Sequence, residues 1–153
     1  MKNFKRQISE VMTANPKTVK PDTSMLEIEK VFKSNDYHHL PVVNERGEPI
    51  GIISKSDYFM LLHHFTKKKV GNYEESNRMF FRSLLATDVM TPNPVTMNNT
   101  DKIEEVIDRF LNSKFRSLLV IDENKKCIGI VTPYDLIKWM KIQNSKMVET
   151  FIW

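Results

Sequence analysis

The chain lacks most of the residues that mark a secreted protein, a membrane protein or a familiar enzyme. A single cysteine, Cys127, in 153 residues excludes an intramolecular disulfide and gives no sign of an oxidising compartment, so a reducing cytoplasm is the expected location. No apolar run approaches the roughly 20 residues of a membrane-spanning helix, which argues against membrane insertion. The N-terminal MKNFKRQISEVM has no long apolar stretch like that of a signal peptide; Phe4, Ile8 and Val11 are instead spaced like one face of a short helix. Phosphate-cradling and dinucleotide-binding glycine patterns are missing, as are acid/base pairs at a recognisable spacing. The histidines come as neighbours, His38-His39 and His63-His64, which point to opposite faces of a strand or diverge on a helix, so no metal site is expected.

What is present is enough apolar residue, 41%, to bury a real core, and a formal charge of +4. A mildly basic chain favours an anionic ligand, nucleic acid or an acidic partner without choosing among them. Most lysines are interspersed with acids, and the one tight cluster, Lys67-Lys68-Lys69, is read as a solvated loop. Without an aromatic-basic platform, nucleic acid is disfavoured.

The main feature is a duplication. Residues 11–62 align with 89–140 at a constant offset of 78 and without a gap, and 15 of the 52 pairs are identical, too many over too long a register for chance. VMTANPKT (11–18) matches VMTPNPVT (89–96), LPVVNE (40–45) matches LLVIDE (118–123), and IGIISKSD (50–57) matches IGIVTPYD (128–135). Cys127 stands where the first copy has Pro49 and has no histidine near it in sequence, which marks it as a structural thiol.

Each copy predicts the same elements. A short extended piece follows the Asn-Pro, because proline disfavours helix in its predecessor. Then comes a helix: Ile103, Val106, Ile107, Phe110 and Leu111 form one apolar stripe, as do Met25, Ile28 and Phe32, the latter behind a Ser24/Glu27 capping box. HHLPVV and PIGIIS flank the turn Asn44–Glu48 as a hairpin, and a final helix starts near Ser56 or Asp57. The expected fold is α+β (mixed α/β), two β-α-β-β-α repeats packed about a pseudo-twofold axis, since about 52 residues bury too little alone. Residues 1–62 would hold the first repeat with an N-terminal helix and 89–140 the second. Residues 63–88 would be a connection, with KKKVGNYEES a mobile loop and Met79, Phe80, Leu84 and Leu85 a short helix completing the core. In a C-terminal helical tail, 141–153, Met147, Val148, Phe151 and Ile152 would dock on this chain or on another copy.

VMTxNPxT, then HLPVVN or SLLVID, then GIISKSD or GIVTPYD, in this order and duplicated, resembles the tandem cystathionine-β-synthase (CBS) domain, or Bateman module, over nearly the whole chain. The resemblance implies a non-catalytic regulatory module that binds adenosine compounds (AMP, ADP, ATP or S-adenosylmethionine) in clefts between the repeats, needs no cofactor, and forms a homodimer. Its regulated protein would be reached in trans, unless the chain is a piece of something larger. A ligand-independent dimerisation or interaction module is the alternative.

In the family the Ser/Thr and Asp of the strand-to-helix motif contact ribose, which maps onto Ser54 and Asp57 and onto Thr132 and Asp135. A carboxylate can accept from both hydroxyls of a cis-diol; equally, these residues can be plain helix caps, and the two roles are compatible. The family's basic position before the second strand falls on His38 and Arg116. Arg116 is always charged and can hold phosphate bidentately, so the second-copy site is the better equipped; either residue can also be a solvent-facing strand end. The family's early threonine, near adenine in relatives, corresponds to Thr18 and Thr96, with a turn or cap role as the alternative. Leu119 for Pro41 and Pro133-Tyr134 for Lys55-Ser56 make the two pockets unequal, and Tyr134 is expected to pack rather than cover a base.

Overall fold

The computed structural model describes residues 5–66 and 73–150. Its elements, in chain order, begin with a 3-10 turn, Ile8–Glu10, then strand β1 (Thr13–Ala14), helix α1 (Met25–Ser34), and strands β2 (His39–Val43) and β3 (Pro49–Ser54). Helices α2 (Lys55–Thr66), α3 (Tyr73–Ser83) and α4 (Ala86–Val89) follow, then strands β4 (Thr91–Pro92) and β5 (Thr96–Asn98) and helix α5 (Ile103–Asn112). Strands β6 (Leu118–Ile121) and β7 (Cys127–Val131) lead into helix α6 (Pro133–Thr150).

Local sequence explains most of these. Ser24 caps α1 reciprocally: its hydroxyl accepts the Glu27 N–H at 3.3 Å and Glu27 Oε2 accepts the Ser24 N–H at 3.1 Å. Behind that cap Met25, Ile28 and Phe32 are buried at the predicted spacing. In α5 Ile103 and Val106 are buried and Ile107 and Phe110 pack against the core, but Leu111, in the last turn, is 77% exposed. The hairpin turn is closed by Asn44 Oδ1, which accepts the N–H groups of Arg46 and Glu48, each at 2.9 Å. Asp122 Oδ1 does the same for Asn124 and Lys126, and Gly47 and its counterpart Lys125 both take the left-handed conformation.

The chain forms two compact units, one of Met1–Pro16 with Val95–Trp153 and the other of Lys17–Pro94. In the first, the sheet runs β1-β7-β6-β5, with β5 parallel to β6 and the other pairs antiparallel. Ile8, Ile103, Leu118, Val120, Val131 and Trp139 are central to its core. In the second, the sheet runs β2-β3-β4, and Val19 bridges to Val42 in parallel, where β5 stands in the first unit. Its core gathers Ile28, Phe32, Leu40, Ile53, Tyr58 and Phe81. A fully buried side chain of this size contributes about 1.5–3 kcal/mol.

These units are cut just past the Asn-Pro motifs, whereas the sequence repeat runs 11–62 and 89–140, because each unit takes its edge strand from the other repeat. Thr13 pairs with Ile130 and Ala14 with Gly129; Thr91 pairs with Ile52 and Pro92 with Gly51, the same register 78 residues on. Asn15 and Asn93, both at positive φ, turn their N–H groups onto the Ile128 and Ile50 carbonyls at 2.9 and 3.1 Å. Gly129 and Gly51 let Met12 and Met90 lie directly over the strand; a methyl at either glycine would collide with the methionine sulfur.

Several expectations change. The N-terminal helix is only a 3-10 turn, because its backbone groups bond outward: the Ile8 N–H donates to the Asp101 carbonyl at 2.8 Å and the Arg6 carbonyl accepts the Ile103 N–H at 2.9 Å. Residues 73–76 of the expected loop are already helical in α3, and it is Phe81 that enters the core, while Met79 is 69% exposed. The tail is no separate helix, since α6 runs unbroken to Thr150. Phe4, the lysine cluster 67–69, the side chains of Met147 and Val148, and Phe151 and Ile152 lie outside the described residues. Among the described residues no helix is long and apolar enough to cross a membrane.

Candidate functional site

In both units a strand runs into a helix with no loop between. Ser54 ends β3 and α2 starts at Lys55; Thr132 follows β7 and α6 starts at Pro133. Placing a hydroxyl at the N-cap and a carboxylate three residues on allows reciprocal capping. Asp57 Oδ2 accepts the Ser54 N–H at 2.9 Å and its hydroxyl at 2.6 Å, while the Ser54 oxygen accepts the Asp57 N–H at 3.1 Å. Asp135 Oδ2 accepts the Thr132 N–H at 2.8 Å and its hydroxyl at 2.6 Å, and the Thr132 oxygen accepts the Asp135 N–H at 3.4 Å. All four residues are half-buried. Capping therefore uses the hydroxyl proton and one carboxylate oxygen, Oδ2, and leaves the other oxygen, Oδ1, outside the cap.

The basic positions sit beside these helix starts. The Lys55 N–H donates to the His38 carbonyl at 2.8 Å, holding the exposed His38 against the start of α2. In the other unit the equivalent donor is Pro133, which has no N–H, so Arg116 is held only by the β6–β7 register, in which Leu118 faces Val131. Arg116 is exposed and makes no ion pair among the described residues. A cation at a helix N-terminus is disfavoured unless an anion joins it, which suits a phosphate there.

Thr18 and Thr96 do not converge on the carboxylates of their own units. Thr96 pairs with Leu119 on β6, and β7 lies beyond, so two strand spacings, roughly 10 Å, separate the line of Thr96 from that of Thr132. Thr18 precedes Val19, which flanks β2 on the side away from β3. Tyr134, expected to pack, is 72% exposed, while Leu136 and Trp139 of the same helix are the residues that enter the core. Cys127 is half-buried; burial pushes its thiol up to about 11 against a weak bond from Sγ to the Gly129 carbonyl at 3.8 Å.

One residue was not anticipated. Thr13 Oγ1 donates to Asp135 Oδ1 at 3.4 Å, so β1 reaches the carboxylate of the second repeat from the first. The repetition of VMT in both copies was the available signal, but its partner lies 122 residues away.

Comparison with known proteins finds the same duplication. The CBS domain family model matches residues 8–64 and 86–142, again 78 residues apart. An uncharacterized protein of Methanocaldococcus jannaschii, MJ1225, is 26% identical over 135 residues, 86% of this chain; the chain spans only 46% of that protein's length. Among solved structures, the CBS-pair protein CBSX2 from Arabidopsis thaliana superposes with a TM-score of 0.73 at 25% identity, covering 91% of this chain and 97% of that one. The structure of CBSX2 in complex with AMP gives 0.71 at 24% identity, covering 90% and 98%. The CBS domain pair of MJ0100, in complex with 5'-methylthioadenosine and S-adenosylmethionine, gives 0.66 at 24% identity, covering 88% and 98%.

Proposed function

The chain belongs to the CBS-domain family and carries two of its domains, and on that premise we propose that it is a non-catalytic regulatory module that binds an adenosine-containing compound and signals to a partner protein. The observation that carries this reading is the duplicated carboxylate: Asp57 and Asp135 stand at the same position of the same strand-to-helix junction, each held by its own cap through Oδ2 with Oδ1 outside that cap. A carboxylate oxygen offers two lone pairs to the two hydroxyl donors of a ribose cis-diol. Arg116, beside the start of α6, supplies the cation that a phosphate or carboxylate on the ligand needs. AMP bound to CBSX2, and 5'-methylthioadenosine and S-adenosylmethionine bound to the MJ0100 pair, support the class of ligand.

Thermal unfolding with AMP, ADP, ATP and S-adenosylmethionine tests it. A ligand at a hundred times its dissociation constant adds about 2.7 kcal/mol, a rise on the order of 5–10 °C for a chain of this size. No shift with any of the four would overturn the reading.

A homodimer is the second part of the proposal. Phe59 and Ile137, 78 residues apart at the same helix position, are 53% and 60% exposed, which favours burial against a second copy. Sedimentation of a Phe59→Lys, Ile137→Lys variant as a monomer, against a wild-type dimer, is the expected result; a monomeric wild type refutes it.

A further inference from the structure

We propose that Thr13 makes the two carboxylates unequal, occupying Oδ1 of Asp135, the oxygen outside the cap, so that a ribose diol engages Asp57 directly but must displace Thr13 at Asp135. This rests on the adenosine-binding reading and reverses the ranking that Arg116 suggests from sequence.

The argument is a count of lone pairs. In each unit Oδ2 is filled by one N–H and one hydroxyl. Oδ1 keeps two acceptor positions, and a cis-diol has two donors. Asp57 Oδ1 accepts no hydrogen bond from any of the described residues. Asp135 Oδ1 accepts the Thr13 hydroxyl, so one position is left. Thr91 holds the place of Thr13 in the other unit, paired with Ile52 as Thr13 is with Ile130, yet makes no such bond to Asp57 among the described residues. The inequality is thus one of side-chain contact within otherwise matching strands.

At 3.4 Å the Thr13 bond is long, so a ligand can replace it at a cost in affinity. It sits on a two-residue exposed strand that is also held by its antiparallel pairing with β7, by the Asn15 N–H bond to the Ile128 carbonyl and by Met12 over Gly129. A ligand that displaces Thr13 therefore loosens one tie of β1, and occupancy at Asp135 is reported at the N-terminal segment. Thr13 is a positioning residue here, acting through Asp135.

Adenosine itself is the probe, because it carries the diol without a phosphate for Arg116. In calorimetric titration, Asp57→Asn should weaken wild-type binding by about tenfold or more, and Asp135→Asn by less than about twofold. In an Asp57→Asn background, Thr13→Val should strengthen the remaining site about fivefold, with Thr13→Ser like the parent. Equal losses from the two Asn variants, or no gain from Thr13→Val, would overturn the proposal. If adenosine does not bind at all, the adenosine reading fails separately, and ligand-free hydrogen exchange decides the tie. Faster exchange of the Asn15 amide in Thr13→Val, restored in Thr13→Ser, supports it; unchanged exchange overturns it.

Discussion

The Tyr58 hydroxyl donates to Glu29 Oε1 at 2.9 Å, and neither residue has a polar equivalent in the second repeat, where Leu136 and Ile107 stand. Tyr58 is 2% exposed and wedged between Phe32 and Phe81, with ring centroids 5.9 and 6.1 Å away. Glu29 is also held by Lys33 at 2.6 Å. The pair thus lets a long side chain with a polar tip fill the second unit's core without leaving a donor unsatisfied. Tyr58→Phe should cost about 1 kcal/mol in urea unfolding. The Tyr58→Leu, Glu29→Ile double variant, which copies the other repeat, should cost less than the two single changes added together.

The same pair sets a pH window. Burial, and then the Glu29 bond, push the Tyr58 phenol above its ordinary 10.0, so the neutral form is favoured in the folded state. Its stabilisation is complete below about pH 10 and is lost as pH rises further. Burial pulls the Glu29 carboxyl upward, but the bonds from Lys33 and Tyr58 outweigh it and hold the group below its ordinary 4.5. That contribution is present above about pH 4.5 and fades as pH falls through the lowered value. Urea midpoints measured from pH 3 to 11 should show a plateau bounded at both ends, and Tyr58→Phe should flatten the alkaline limb. An unchanged limb would show that the phenol does not carry it.

The exchanged edge strands depend on two glycines. A methyl on Gly51 meets Met90, and one on Gly129 meets Met12. Since a methionine can swing aside, Gly51→Ala and Gly129→Ala are each expected to cost about 1–3 kcal/mol, toward the lower end. Adding Met90→Ala to Gly51→Ala should return part of that loss in a double-mutant cycle; strict additivity would mean that the two residues do not press on each other.

Cys127 should be slow to react. With its thiol raised to about 11 by burial, thiolate is scarce at neutral pH. At pH 8 its disulfide exchange with a small aromatic disulfide should be roughly 200-fold slower than that of a free cysteine of pKa about 8.5, on thiolate fraction alone. Reaction at the free-thiol rate would contradict the buried placement.

Much of this fold is legible in the sequence because its determinants are local. Ser24 and Glu27 cap α1 as their spacing predicts, the Asn44 turn closes its hairpin, and Met25, Ile28 and Phe32 are buried at helical period. The strand exchange was not legible. Thr13 and Ile130 lie 117 positions apart, and a two-residue strand has no periodicity to betray its partner. The candidate site divides in the same way. Ser54 with Asp57, and Thr132 with Asp135, follow from an i, i+3 motif, whereas Thr13 reaches Asp135 only through the exchanged strand. Tyr134 and Met79 are exposed where their apolar character predicts packing, because hydrophobicity alone does not say which way a residue on a short helical turn faces.

The central claim, that the carboxylate oxygens of Asp57 and Asp135 outside the helix caps are the ribose contacts, is tested most directly by calorimetric titration of AMP into the wild type and into the Asp57→Asn, Asp135→Asn double variant. Asparagine keeps an oxygen to cap Ser54 and Thr132, so the fold is retained while the charged acceptors are lost. The account predicts saturable binding to the wild type and at least about tenfold weaker binding to the variant. Equal affinity in the two proteins would contradict it.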